Sequence, residues 1–329
     1  MTDSIGWGIL ATGGIAATFT EDLKRLPDAH VAAVGSRSPE TARAFAERFD
    51  IPAAHGSWDD LIADPDVDIV YIANTHNAHY EAAKRCLEGG KAVLCEKAFT
   101  VNHVQAKTLV DLAGERGLFL MEAMWMRLNP AIRHMRKALT DGLIGDVTTL
   151  NATFGLGGPF PPGHRLRDPN QAGGALLDLG VYPISLAQLI LGRPASIHAT
   201  GSLTPEGVDA TAGLVLGYDS GAVATLACSI TSDMPIVASV NGTTGHVTLP
   251  APFFRPSRYL LGRGGGEAEL EIVEVPHDGL GYVHQAIEAM RCLREGLTES
   301  PLVPWQSTLD VMAVMDEARS QLGVTYPGE

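Results

Sequence analysis

Three short clusters in this 329-residue chain hold residue types that could do chemistry. The run Val93-Leu94-Cys95-Glu96-Lys97 ends an apolar stretch on a carboxylate and an amine. Open α/β sheets bind ligands beyond the carboxyl ends of their strands, and a lysine there can take or return a hydroxyl proton. A lysine at a strand end is also commonly a solvated charge. The second cluster is Gly173-Gly174-Ala-Leu-Leu-Asp178-Leu-Gly-Val-Tyr182-Pro183. Its carboxylate and phenol are four residues apart, on one face of a helix. Pro183 removes a helical hydrogen bond and predicts a kink. A carboxylate in so apolar a helix needs partners. Spacing alone leaves open whether Asp178 and Tyr182 serve a substrate or only the packing.

The third cluster is a turn, Ala11-Thr12-Gly13-Gly14-Ile15-Ala16, between a strand-like run and a helical pattern. Glycines there let backbone N–H groups approach a pyrophosphate at a helix N-terminus. The frame departs from G-x-G-x-x-G/A in its first residue, which is Ala11. Ser36-Arg37-Ser38 closes the next apolar run, with no carboxylate before Glu40. A carboxylate at this place would accept from the ribose 2′-hydroxyl of NAD, whereas an arginine accommodates the 2′-phosphate of NADP. NADP(H) is therefore favoured over NAD(H).

Elements that could position these clusters follow from the patterning. The runs Ile5–Ala11, Val31–Gly35, Ile69–Ala73, Ala92–Cys95 and Leu118–Glu122 are short and almost wholly apolar, as strands buried on both faces must be. Amphipathic stretches at Thr18–Leu26, Thr41–Phe49, Ala78–Glu88 and Val101–Arg116 alternate with them. Such alternation predicts a doubly wound parallel sheet over residues 1–123. Beyond it, helices are predicted at Pro130–Thr140 and Ala175–Leu191 and strands at Asp146–Phe154, Ser196–Leu203, Ala212–Tyr218, Ala222–Ile230, Ile236–Val240, His246–Leu249 and Glu267–Val275. Turn signals, including Asn241-Gly242, make this second sheet largely antiparallel. Helices at Tyr282–Glu295 and Trp305–Leu322 end a second domain read as residues 124–329.

Composition narrows the function classes. A net charge of −14 opposes binding to nucleic acid or to anionic membranes. Cys86, Cys95, Cys228 and Cys292 show no disulfide or metal-ligand spacing, and the eleven histidines are scattered, so no metal site is expected. No apolar stretch reads as long enough to cross a bilayer, and the start of the chain lacks a leader pattern, so a cytoplasmic location is expected.

In their order and spacing these landmarks, with Leu118-Phe-Leu-Met-Glu-Ala-Met-Trp125-Met-Arg127 and Gly145-Asp146-Val147, resemble the Gfo/Idh/MocA oxidoreductases along nearly the whole chain. The branch of dimeric dihydrodiol dehydrogenases and NADP-dependent xylose dehydrogenases is the nearest. The resemblance implies an N-terminal Rossmann domain and a C-terminal α/β domain whose large open sheet makes a homodimer or homotetramer. It implies hydride transfer between NADP(H) and a small polyhydroxylated substrate, a sugar or a trans-dihydrodiol. Lys97 is then the acid/base, with Asp178 and Tyr182 beside it. Cofactor contacts are expected from Ala11, Thr12, Gly13, Gly14, Ile15, Ser36, Arg37, Ser38, Asn74, Thr75, His79, Glu96, Lys97, Trp125 and Arg127. Phe154, just before a Gly/Pro-rich loop over 155–170, and Arg165 within that loop are expected on the substrate with Asp178 and Tyr182. The family's proline after the lysine is Ala98 here, and a trans Lys97–Ala98 bond is expected, since a cis bond to a non-proline residue costs roughly 3 kcal/mol. A non-catalytic dinucleotide sensor of the same fold is the alternative.

Overall fold

The computed structural model describes residues 4–264 and 270–329. The chain forms two compact units, one from Met1–Trp125 and Asp278–Thr308, the other from Met126–His277 and Leu309–Glu329.

In the first unit the chain alternates β1 (Ile5–Leu10), α1 (Gly14–Leu23), β2 (Ala29–Gly35), α2 (Pro39–Phe49), β3 (Ala53–His55) and α3 (Trp58–Ala63). It continues with β4 (Ile69–Ile72), α4 (His76–Glu88), β5 (Ala92–Cys95), α5 (His103–Arg116) and β6 (Leu120–Glu122). The strands lie in the order β3-β2-β1-β4-β5-β6, all parallel. All six residues of β1 are buried, which is why its sequence shows no polar alternation. Caps set the helix limits. Ser38 accepts the Thr41 N–H ahead of Pro39 at α2, and Asn102 accepts from Gln105 at α5, which stops at Gly117 with φ +63°. The pair β3 and α3 escaped the sequence pattern because three half-exposed residues carry no periodicity.

The second unit begins with α6 (Pro130–Thr140) and β7 (Val147–Gly155), and a single π turn at Leu176–Gly180 leads into α7 (Val181–Leu191). Strands β8 (Ser196–Leu203), β9 (Asp209–Gly217), β10 (Val223–Ser229), β11 (Ala238–Gly242), β12 (Gly245–Leu249), β13 (Arg258–Arg263) and β14 (Glu271–Glu274) follow. Their sheet runs β14-β13-β12-β11-β7-β10-β9-β8, antiparallel except for the β7–β10 pair. The helices α8 (Val283–Arg294) and α9 (Trp305–Leu322) complete the chain.

Three expectations change, and a fourth falls partly outside the described residues. The segment 278–308 belongs with the first unit, not with residues 124–277. Buried Asp22 of α1 accepts the N–H groups of Leu280, Tyr282 and Val283, and Leu120 of β6 donates to the Thr298 carbonyl, so the returning chain completes this unit's hydrogen bonding. Asn241 and Gly242 end β11 instead of turning, and the turn is Thr243–Thr244. Gly242 is required by crowding, because a Cβ there would stand 2.2 Å from the Ile144 carbonyl oxygen. The first part of the expected strand Glu267–Val275 lies outside the described residues. Finally, Pro169–Leu191 does have the length and mean hydropathy (1.6) of a bilayer-crossing helix, yet 83% of that apolar window is buried within the protein, as befits a core helix.

Candidate active site

The first unit gathers its chemistry at the carboxyl ends of its strands. After β1 the chain turns at Ala11, whose φ of +104° is the conformation for which the fingerprint normally uses glycine. Gly13 precedes α1 without any side-chain cap, and nothing lies within 4 Å of a Cβ placed on Gly13 or Gly14. Exposed glycines before a bare helix N-terminus form a cradle that suits a pyrophosphate. Thr12 and Ile15 border it, half-buried. At the end of β2, Arg37 is exposed and Ser36 is half-buried. Ser36 Oγ meets Thr41 Oγ1 at 2.7 Å, while Ser38 caps α2 and donates to Glu40 at 2.9 Å. Ser38 is thus committed to the helix, which leaves Arg37 as the cation of this trio.

Past β4, the Asn74 carbonyl and the Ala98 carbonyl face the two ring nitrogens of His79, at 3.1 and 2.8 Å. His79 is fully enclosed, and burial pulls its pKa down to about 4. A neutral imidazole carries one proton, so it donates to one carbonyl at a time. Its evident work is to join the β4 and β5 ends rather than to present a nitrogen to a ligand. Thr75 heads α4 and donates to Asn77 at 2.7 Å.

Glu96 and Lys97 follow β5. Glu96 is 5% exposed and accepts from Tyr71 Oη at 2.5 Å and from the Lys97 N–H at 3.2 Å. Burial pushes this carboxyl up to about 7, against the pull of Tyr71 and Lys97. Tyr71 in turn stacks on Phe19 with ring centroids 3.8 Å apart. The Lys97–Ala98 peptide is cis, correcting the expected trans bond. Both sides of it are held, by the Lys97 N–H on Glu96 and by the His79 ring on the Ala98 carbonyl. The Lys97 side chain itself is half-exposed. Trp125 stacks on Tyr282 at 4.2 Å and 17°, and both are residues of this unit. Sequence patterning passed over Tyr71 and Tyr282, since a tyrosine in a buried strand or before a helix carries no motif.

The second unit holds the other groups. Asp178, 6% exposed, accepts two hydrogen bonds from the Arg165 guanidinium, each 3.2 Å long. Asp178 lies inside the π turn, where the Val181 N–H reaches back to the Leu176 carbonyl. The expected kink is therefore this wide turn, which immediately precedes the stretch of α7 that holds Pro183. Tyr182 lies against Phe154 (5.6 Å) and Phe254 (4.9 Å), and those two phenylalanines stack at 5.1 Å. Phe253 closes the set at 6.5 Å from Phe154. A bidentate carboxylate–guanidinium pair thus stands in one unit with four aromatic rings. Phe253 and Phe254 gave no sequence signal beyond adjacency to each other. Arg127 lies in this unit and donates to Gln188 Oε1 at 2.7 Å, so α7 holds it.

Comparison with known proteins accords with both halves. Residues 5–124 match the description "Oxidoreductase family, NAD-binding Rossmann fold", and residues 132–248 match "GFO/IDH/MocA C-terminal domain". Trans-1,2-dihydrobenzene-1,2-diol dehydrogenase of Mus musculus is 38% identical over 331 residues, covering 98% of each chain. The Homo sapiens enzyme of that name is 37% identical over 333 residues, again 98% of each. A 3-ketoreductase from Actinomadura kijaniata, solved with NADP and TDP-benzene, superposes with a TM-score of 0.85 at 27% identity, over 97% of this chain and 98% of that one. Levoglucosan dehydrogenase with NADH and levoglucosan shares the fold, with a TM-score of 0.88 at 19% identity and 98% coverage of each chain.

Proposed function

The chain belongs to the GFO/IDH/MocA oxidoreductases, a family that binds a nicotinamide dinucleotide, and from that premise we propose that it is an NADP(H)-dependent dehydrogenase of small vicinal diols, trans-dihydrodiols before sugars. The observation that carries the substrate class is the aromatic group of Phe154, Tyr182, Phe253 and Phe254 in the same unit as a polar pair, Asp178 with Arg165, with Tyr182 and Asp178 one helical turn apart. Flat apolar rings suit a cyclohexadiene ring, and the polar groups suit its hydroxyls. The names of the full-length relatives point the same way.

When bound, the nicotinamide supplies the hydride acceptor of the oxidative direction. The cradle at Gly13 and Gly14 holds the pyrophosphate, and Arg37 takes the 2′-phosphate by a charge-assisted contact. Lys97 hydrogen-bonds the reacting hydroxyl and receives its proton, Tyr182 shares that proton, and Asp178 orients the diol. The Glu96 and His79 contacts hold the backbone on both sides of Lys97 and so fix the root of its side chain. In solution the large sheet of the second unit pairs two copies, or two pairs, of the chain.

The test is NADP⁺ and NAD⁺ reduction by purified protein against trans-dihydrodiols and aldopyranoses, with Lys97→Ala in parallel. Dihydrodiol turnover with NADP⁺, lost by at least about 100-fold in Lys97→Ala with dinucleotide affinity kept, is the expected result. Tight NADP(H) binding without turnover on any substrate would favour the sensor, and turnover confined to aldopyranoses would reverse the substrate order.

A further inference from the structure

Directly behind the helix that bears Asp178 and Tyr182 sits a carboxylate with no part in the scheme above. Asp209, the first residue of β9, is wholly buried, and its Oδ2 accepts the Leu176 N–H at 2.5 Å. The N–H groups of Ala175 and of Asp209 itself also point at it. Gly174, just before that helix, has φ +115°, and a Cβ on it would stand 2.2 Å from Asp209 Oδ1. The Gly173-Gly174 turn is therefore shaped around this carboxylate. Its other walls come from the same unit. Gly173 and Gly174 donate to the Asp168 and Leu166 carbonyls, and Tyr326 Oη donates to the Gly173 carbonyl at 2.7 Å. Arg319 covers the Tyr326 ring at 4.9 Å and is held by Asp316 and Glu329.

Resting on the dehydrogenase reading, we propose that Asp209 is a positioning residue for the substrate site: its buried carboxyl accepts the Leu176 N–H, anchors the start of the π turn and thereby sets where Asp178 and Tyr182 stand. Asp178 is two residues beyond the anchored Leu176 N–H, and the wide turn lies between that anchor and α7. A side-chain oxygen that accepts the first N–H groups of a helix satisfies donors that burial would otherwise leave unpaired. The same burial drives the carboxyl up to about 7, against the pull of those N–H groups and of Arg319. The other titratable groups facing it are Tyr326 from the C-terminal segment and the Cys228 thiol from β10. Burial lifts the titration of both far above neutral, so neither changes charge in the range where Asp209 does.

Asp209→Ala removes the acceptor, whereas Asp209→Asn keeps one. The expected result for Asp209→Ala is a fall of about tenfold in kcat for the best substrate, with the KM for NADP⁺ within about twofold and most of the loss restored in Asp209→Asn. Amide hydrogen exchange over 175–182 should quicken about tenfold while exchange over 5–16 stays put. Wild-type kcat and exchange in the alanine variant would overturn the proposal, as would loosening of both segments alike. Should the variant fail to fold, the wild-type protein decides: after correction for intrinsic rates, exchange over 175–182 is faster at pH 8 than at pH 6, because the raised pKa favours the closed turn only while the proton is held, and equal protection refutes the anchor. The exchange arm needs no substrate, so it separates failure of this inference from failure of the dehydrogenase reading.

Discussion

Glu96→Gln should change how the stability of the first unit depends on pH. The folded carboxyl titrates near 7 because it is buried, while an unfolded one titrates near the ordinary 4.5. Below 4.5 both states are protonated, and the folded state enjoys the full benefit of its raised pKa. Between 4.5 and 7 only the folded state keeps the proton, so stability falls as pH rises, and above 7 the benefit is gone. At 1.36 kcal/mol per unit, and with the folded carboxyl half-ionised at pH 7, the share lost between pH 5 and 7 is about 2 kcal/mol. His79 works in the opposite sense. Held at about 4 when folded, it favours the folded state above its unfolded value of 6.5, and that favour is lost as pH falls through 4. Asp209 has the sign of Glu96. Subtracting the variant's stability from that of the wild type cancels both and isolates Glu96. All four tryptophans, Trp7, Trp58, Trp125 and Trp305, lie in the first unit, and Trp7 is 5.3 Å from the Phe19 that stacks on Tyr71. Urea unfolding followed by tryptophan fluorescence at pH 5, 6, 7 and 8, at fixed ionic strength, therefore reads the right unit. A wild-type-minus-variant difference that stays flat to within about 0.5 kcal/mol, the size of ordinary non-additivity, refutes the reasoning.

Arg37→Ala should raise the KM for NADP⁺ by roughly 10- to 100-fold, the worth of a charge-assisted phosphate contact, and leave that for NAD⁺ nearly unchanged; equal effects on both would remove the 2′-phosphate assignment. Ala11→Gly should stabilise the protein by about 1 kcal/mol, because relief of φ +104° outweighs the added chain entropy, and melting should move up by about 2–4 °C. A lower melting point would mean that the alanine methyl is needed there. Arg165→Met takes two hydrogen bonds from the Asp178 carboxylate, so kcat/KM for substrate should fall by about 10- to 100-fold with dinucleotide affinity intact. Parallel losses in both would place Arg165 in the general stability of the unit instead.

The strands of the parallel sheet were legible because each is buried on both faces, so Ile5–Leu10 and Ile69–Ile72 stand out as unbroken apolar runs. Lys97, Asp178 and Tyr182 were visible for a different reason, since their neighbours carry recognisable spacing. What escaped was set by tertiary packing. Asp209 and Gly174 are 35 residues apart in the chain and meet only through β9, and no local pattern links them. Phe254 gains its meaning from Tyr182, more than 70 residues earlier. Arg165 was legible as a charge, but its partner was not, because a bidentate pair is a matter of distance. The cis bond at Ala98 ran against the general cost of such bonds, which knowledge of the sequence alone cannot set aside.

The route of the chain bears on how the protein can be made. It leaves the first unit after Trp125, returns for 278–308, and departs again. A ribosome that has finished β6 has not yet made Thr298, whose carbonyl takes the Leu120 N–H, nor Trp305, whose indole donates to the Leu120 carbonyl at 2.8 Å. Asp22 likewise waits some 260 residues for the amides of Leu280 and Tyr282. During synthesis the nascent first unit therefore displays an open sheet edge, and Asp22 lacks its backbone N–H partners, until nearly the whole polypeptide has emerged. Gene fragments cut at the boundary between the two family segments inherit that defect permanently, and a soluble nucleotide-binding fragment would have to carry the 278–308 return as well.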